Sequence, residues 1–449
     1  MLNVQLRGLF SLKKLLIINF SLLIFTSCSV QQKISKSAKQ VINDTSLLTA
    51  HVGISIYEPE SGKYWYNYQG DKYFVPASNT KIPTCYAAMK YLGDSLMGWY
   101  VKESNDTIYI KPNGDPTFLH PDFKQQRLFD LIIRTKKKIS VEVFDPQFQR
   151  FGNGWTWNDF DASYMPERST RPIYGNLVTF KMNGDSIEII PKYFKSINNF
   201  PSAWWEYGKR FDINRSKHTN YFRIQKTSSI FTFKQIPFTG SDNGNVEDIL
   251  LLDTIWSIKK DFLMYYHGSY LKVHYNKFFT QSTDSLLKPL MHRSDNFFAE
   301  QSLLMVSNER LGVMNDAKII DTLLKTDFKD LPQRPRWADG SGLSRYNLFT
   351  PQDFVSILNK MKNEFGMERI KVIFPTGGTG TISNYYKADS NYIFAKTGTL
   401  SGVVALSGFL YTKKGKLLIF STLVNNHQAS STAVRRAVEK FIQGIREKY

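Results

Sequence analysis

Cysteine is almost absent from this chain: Cys28 and Cys85 are the only two in 449 residues. At most one disulfide can form, so a hydrophobic core has to hold the fold, and Cys85 reads as a small buried residue of a helix. Acidic residues are also scarce, 39 Asp and Glu against 58 Lys and Arg, for a formal charge of +19. The N-terminal apolar run, Leu15 to Phe25, has only 11 residues and includes Asn19 and Ser21. A spanning helix needs roughly 20 apolar residues, so an export signal is the better reading there. The seven histidines show no ligand spacing such as H-E-x-x-H, so no metal and no cofactor are expected. Internal repeats and long low-complexity tracts are missing too.

The N-terminus reads as an export signal. Arg7, Lys13 and Lys14 precede or open the apolar run, and no acid occurs before Cys28. The ending Phe25-Thr26-Ser27-Cys28 resembles a bacterial lipoprotein signal, in which Cys28 becomes the lipidated first residue; ordinary secretion is the alternative. The expectation is a signal over 1–27, a polar tether over 28–46, and a protein in the cell envelope, on its periplasmic side. A lipid would anchor it to the membrane without spanning. Loss of residues 1–27 removes three positive charges and no negative ones, leaving +16. In an exported protein that excess favours anionic envelope surfaces, and nucleic acid is a poor partner there.

What remains is globular: 42% hydrophobic, 22% charged and 14% aromatic, long enough for two or three domains. Two strand-like runs, His51 to Tyr57 and Tyr64 to Tyr68, flank a Pro/Gly turn. Three more close the chain in NYIFAKTG, VVALSGFLYT and KLLIFSTLVNN, the last two joined by the turn KKGK. A final helix carries an apolar stripe of Val434, Ala437, Val438, Phe441, Ile442 and Ile445. Both ends thus read as one antiparallel sheet with flanking helices, an α/β (α+β) domain over 47–94 and 271–449. The middle, 95–270, is rich in short strand-like runs, Asn, Asp, Gly and aromatics, and reads as one or two inserted β-rich domains.

The chemistry starts at VPASNTKIPTCYAAMKYL, residues 75–92. Ser78 stands three residues before Lys81, and residues three apart on a helix share a face. A hydroxyl and an amine could meet there as nucleophile and base. The spacing alone is weak, since S-x-x-K recurs at Ser11, Ser257, Ser269 and Ser285. A helix cap at Ser78 and a solvated Lys81 are the bland alternatives. Pro83 is a local complication, because a helix beginning at Ser78 would use its missing N–H. Two distant segments add weight: Ser294-Asp295-Asn296 entering a helix, and Lys396-Thr397-Gly398-Thr399 ending a strand. S-x-x-K, S-D-N and K-T-G in this order are the signature of penicillin-binding proteins and β-lactamases, a recognition and not a derivation.

With GDPTF (114–118), GNGWTWNDF (152–160), RSDNFFAEQ and DGSGLSRYN (339–347), the chain resembles exported D-alanyl-D-alanine carboxypeptidase/endopeptidases. These are low-molecular-mass penicillin-binding proteins of class C type, with large insertions after the nucleophile helix. The likeness spans His51 to the C-terminus and fades between Tyr193 and Gly268. It implies a β-lactamase/transpeptidase-like catalytic domain acting on peptidoglycan stem peptides and acylated by β-lactam antibiotics. Ser78 would attack the carbonyl between two terminal D-alanines, and Lys81 would take its proton. An ordinary lysine, with a pKa of ~10.4, costs about 4.6 kcal/mol to hold neutral at pH 7, so burial and the nearby Lys396 ammonium must lower it.

The same resemblance makes Ser294 a proton shuttle and has Asn296 hold the substrate amide, with Asp295 pointing away. Lys396, Thr397 and Thr399 would hold the terminal carboxylate, and Gly398 would let the backbone approach the ligand. The backbone N–H groups of Ser78 and Thr399 would form the oxyanion hole. Asp339 and Ser341 are expected as scaffold near the cleft, and GDPTF and the Trp155/Trp157 pair as fold elements. Rival readings are a β-lactamase of the same fold and a non-catalytic, lipid-anchored wall-binding protein. No second base for rapid deacylation stands out, and the intact triplets argue against a merely binding role.

Overall fold

The computed structural model describes residues 32–449 except 33, 40–41, 46, 144–145, 184–185, 199–210, 227–230, 241–245, 260 and 269–272. Cys28 and the signal segment lie outside the described residues. Strands β1 (His51–Glu58) and β2 (Lys63–Tyr68) form the expected hairpin. A 3-10 turn, Ala77–Thr80, then leads into helix α1 (Lys81–Tyr91). Pro83 is therefore the third residue of α1, where the N–H has no intrahelical partner in any case, and it breaks nothing.

The chain then departs into the insertion. β3 (Ser95–Glu103), β4 (Thr107–Pro112), helix α2 (Arg127–Arg134) and β5 (Lys138–Val143) come first. β6 (Leu177–Asn183), β7 (Ser186–Ile190), β8 (Phe211–Arg215), β9 (Phe222–Lys226) and β10 (Phe233–Pro237) follow, then helix α3 (Val246–Trp256), β11 (Met264–Gly268) and β12 (Asn276–Ser282). They pair as sheets ordered β11-β5-β4-β3-β12, β10-β6-β7 and β8-β9. Trp99, Ile110, Val141, Phe180, Ile213, Phe222 and Leu250 meet in one apolar cluster. The inserted region thus has a shared core that includes helices beside the strands of the expected β-rich insertion. Its boundary also moves. β12 pairs antiparallel with β3, so residues 276–282, expected in the catalytic part, complete the insertion sheet. The short run NKFFTQS carries no sign of which sheet it joins, because pairing is decided by a partner 180 residues away in sequence.

Helices α4 (Thr283–His292), α5 (Asn296–Leu311), α6 (Asp316–Lys325) and α7 (Pro351–Ile373, broken at Gly366) bring the chain back. It ends with β13 (Ile393–Leu400), β14 (Val403–Tyr411), β15 (Leu417–Asn425) and α8 (Ser431–Lys448). The central sheet is antiparallel throughout, in the order β13-β14-β15-β1-β2. Ile419 and Leu423 of β15 face Ile82, Tyr86, Leu290, Phe298, Phe354 and Leu358 from α1, α4, α5 and α7. Leu418, Phe420 and Val424 face the α8 stripe of Val434, Val438, Phe441 and Ile442. Burial on both faces explains why these strands are continuous apolar runs and do not alternate with polar residues. Each fully buried Leu, Ile, Val or Phe contributes roughly 1.5–3 kcal/mol. Part of the expected tether joins this layer: Ile34 and Ala38 are buried against the α8 side. The segment is polar on average, but two apolar residues four apart suffice to dock one helical face.

Candidate active site

Ser78 sits in the 3-10 turn just before α1, preceded by Ala77 in the left-handed region at φ 48. That conformation is rare for a residue with a Cβ and marks an over-determined site. The turn is held from three sides. Asn79 Nδ2 donates to the Lys396 carbonyl at 2.9 Å, and Thr80 Oγ1 donates to the Ala77 carbonyl at 2.9 Å. Gly342 (φ 85) comes so close that a Cβ there would lie 1.9 Å from the Ala77 oxygen.

Lys81 is fully buried, and its Nζ makes three contacts: Ser78 Oγ at 3.1 Å, Asn296 Oδ1 at 2.6 Å and the Ser341 carbonyl at 2.6 Å. Asn296 is oriented by its own Nδ2, which donates to the Tyr164 carbonyl at 2.8 Å. The amide oxygen and the carbonyl can only accept. They take two N–H bonds, so the third direction of a neutral amine is a lone pair facing the Ser78 hydroxyl. Burial pushes the Lys81 pKa down to about 8, against the opposing pull of Asp339, Glu300 and Asp295. At that value the neutral form costs about 1.4 kcal/mol at pH 7.

Ser294 has φ 62, and Asp295 is the true N-cap of α5, accepting from Phe298 N at 3.0 Å. Asp295 is thus structural, and Ser294 is freed from capping. Lys396, also fully buried, donates to Ser294 Oγ at 2.8 Å and to the Thr397 carbonyl at 2.7 Å. Burial drives its pKa well below the usual lysine range, and the charges of Lys81 and Arg435 add to this. Like charges sharing a pocket disfavour double protonation.

Strand β13 lies at the sheet edge. Ala395 N–H leaves the sheet and donates to the Pro375 carbonyl at 3.1 Å. N–H groups alternate along a strand, so those of Thr397 and Thr399 face the same free edge. A Cβ at Gly398 would lie 2.5 Å from the Pro76 oxygen and 3.1 Å from Ser78 N. Only glycine lets the strand approach the Ser78 turn so closely. Thr397 Oγ1 meets Thr381 Oγ1 at 2.8 Å, and Thr399 Oγ1 accepts from Arg435.

Asp339 is scaffold, as expected. It accepts from Gly342 N (2.8 Å), Ser344 N (2.7 Å), Asn347 Nδ2 (2.7 Å) and Trp155 Nε1 (2.9 Å). Trp155 thereby ties the insertion to the site, whereas Trp157 is 62% exposed with Lys217 over its ring, and so is no core element. Glu300 accepts from Ser341 N at 2.7 Å, with buried Arg168 at 3.5 Å. Burial raises the Glu300 pKa to about 7. Sequence reasoning missed Glu300, Tyr164, Thr381 and Arg435. Glu300 stands inside RSDNFFAEQ and could have been found there; the others have no motif around them.

The D-Ala-D-Ala carboxypeptidase 3 (S13) family matches residues 34–190 and 281–448, the gap falling within the insertion. The D-alanyl-D-alanine carboxypeptidase DacB of Haemophilus influenzae is 23% identical over 85% of this chain and 87% of its own length. The D-alanyl-D-alanine carboxypeptidase of an Actinomadura species is 23% identical over 89% of this chain and 82% of its own. The crystal structure of penicillin binding protein 4 from H. influenzae superimposes with a TM-score of 0.69 at 21% identity, covering 92% of this chain and 98% of the other. The family match covers well over half of the sequence, and the chain belongs to the D-Ala-D-Ala carboxypeptidase 3 (S13) family of serine-type peptidases.

Proposed function

We propose that Ser78 is the nucleophile and Lys81 the base of a D,D-peptidase that cleaves the D-Ala-D-Ala bond of peptidoglycan stem peptides and the equivalent D,D-bond of cross-links. The observation that carries this reading is the hydrogen bonding of Lys81. Two obligate acceptors take two of its N–H groups, and Ser78 Oγ is the third neighbour of Nζ, so in the neutral amine the lone pair faces the Ser78 hydroxyl. Lys81 takes the Ser78 proton as Oγ adds to the substrate carbonyl. The oxyanion is held by the N–H groups of Ser78 and Thr399, where loss of one donor typically costs about 2.7–4 kcal/mol. Collapse breaks the C–N bond, and the proton that Lys81 took from Ser78 passes through the Ser294 hydroxyl to the departing amine, which leaves Lys81 neutral again and Ser294 unchanged. Water, deprotonated by Lys81, then releases the acyl group. A β-lactam enters by the same attack, its ring amide opening on Ser78.

The substrate also sets the charge of the two lysines. Lys81 has carboxylates around it, whereas Lys396 is surrounded by positive charge. A terminal carboxylate arriving beside Lys396, Thr397 and Thr399 draws the proton to Lys396 and leaves Lys81 neutral. Asn296 bonds the peptide amide, and the free edge of β13 receives the extended peptide as an added strand. No helix among the described residues is long and apolar enough to cross a membrane. A lipid on Cys28, with the basic surface against anionic envelope polymers, accounts for retention at the periplasmic side.

The test is product analysis. Purified mature protein is incubated with a wall pentapeptide and with a cross-linked dimer. Free D-alanine from the first and monomers from the second are expected, and both should vanish in Ser78→Ala. Turnover that survives in Ser78→Ala would refute the assignment.

A further inference from the structure

A cleft of about 530 Å3 lies between the insertion and helix α4 (Thr283–His292), and the chemistry of Ser78, Lys81 and Lys396 makes no use of it. Asp122, Phe123 and Lys124 line it from the insertion side, and Lys288 and His292 from α4. Arg293, the residue before Ser294, lines it too. The charges there do not balance. Arg293 is held by Asp122 at 2.5 Å and Asp295 at 3.5 Å, and Asp284 of α4 is bound to Arg369. Lys124 and Lys288 are exposed and form no ion pair among the described residues. His292 adds no charge, because burial and the Lys288 ammonium hold its pKa below the usual imidazole range. Its Nε2 is buried without a hydrogen-bond partner among the described residues, and such an atom calls for a polar ligand. Two uncompensated ammonium groups beside the apolar Phe123 and Pro289 suit an acidic peptide.

The position of the cleft says which peptide. Ser294 relays the proton to the departing amine, so the chain beyond it belongs to the leaving group. His292 also abuts the loop that reaches the edge strand: a Cβ at Gly380 would lie 2.7 Å from the His292 carbonyl oxygen, and Thr381 meets Thr397 at 2.8 Å. Free D-alanine is one residue, about 3.5 Å of chain, and ends at Lys396 and Thr397. The strand released when a cross-link is cut continues for several residues past that point.

We propose that this cleft is the subsite for the departing strand of a cross-link, an acidic peptide whose carboxylates pair with Lys124 and Lys288. This rests on the D,D-peptidase reading and deepens it, since cross-linked substrates gain a contact that single stem peptides lack.

The test measures kcat/KM of wild type, Lys124→Gln, Lys288→Gln and the double variant on a wall pentapeptide and on a cross-linked dimer. The double variant should lose about 5- to 20-fold on the dimer, mostly through KM, and stay within about twofold of wild type on the pentapeptide. Added salt should slow wild type on the dimer more than on the pentapeptide. A dimer whose departing strand has its carboxylates amidated beyond the reacting residue should be cut by wild type as slowly as the unmodified dimer is cut by the double variant. The rate of penicillin acylation, unchanged in all variants, verifies that the Ser78 site is intact. Equal losses on both substrates, no loss on the dimer, or a wild type that cuts only the pentapeptide would overturn the inference and leave the peptidase reading standing. A wild type that cleaves neither would bring down both.

Discussion

Lys396 Nζ lies 2.8 Å from Ser294 Oγ, joining two segments 102 positions apart in the chain. With Ser294 released from capping α5 by Asp295, the hydroxyl has a proton donor on one side and the cleft on the other. Ser294→Ala should therefore slow acylation by a radiolabelled penicillin about 100-fold or more, within the range typical of acid–base catalysis, without lowering the melting temperature by more than about a degree. Single-turnover acylation and a thermal melt check both.

The pH profile follows from Lys81. As the proposed base Lys81 must be neutral, so kcat/KM should rise with pH and level off above about 8, the value to which burial lowers its pKa. The negative charge of Glu300 stabilises the Lys81 ammonium, so removing that charge favours the neutral amine. Glu300→Gln should move the rising limb to lower pH. The effect should be largest above pH 7, where Glu300 is charged. A limb that stays in place would separate Glu300 from the electrostatics of the base.

Gly398→Ala introduces a Cβ 2.5 Å from the Pro76 oxygen. Backbone must move to admit it, and overpacking of this sort costs about 1–3 kcal/mol. The strand and the Ser78 turn are what separate, so penicillin acylation should fall by more than about 100-fold, while circular dichroism stays close to that of wild type.

Trp155→Phe removes the indole donor from Asp339 and keeps most of the apolar contact. A loss of about 0.5–1.5 kcal/mol is expected, read as a lower denaturant midpoint, together with a modest fall in kcat as the 339–347 loop loosens around the Ser341 carbonyl. An unchanged midpoint would mean that the insertion does not brace the site through this bond.

Much of this was legible before folding. The strands of the central sheet were readable because burial on both faces makes them continuous apolar runs. The stripe on α8 was readable because one of its faces meets a single layer. Ser78, Lys81, Ser294, Asn296 and Lys396 were found through motifs whose spacing is local, and they converge: Lys81 touches Ser78 and Asn296, and Lys396 touches Ser294. What escaped depends on partners far away in sequence. β12 belongs to the insertion because β3 pairs with it, Ile34 and Ala38 are core because α8 covers them, and Arg435 reaches the site because α8 packs across β13 and β14. Pro83 looked disruptive only because the 3-10 turn, which shifts the start of α1 to Lys81, has no sequence mark.

Intact mass spectrometry after exposure to benzylpenicillin tests the central claim most directly. The wild-type protein should gain the mass of one drug molecule, peptide mapping should place it on Ser78, and Ser78→Ala should remain unmodified. An adduct on another residue, or one that persists in Ser78→Ala, would contradict the account.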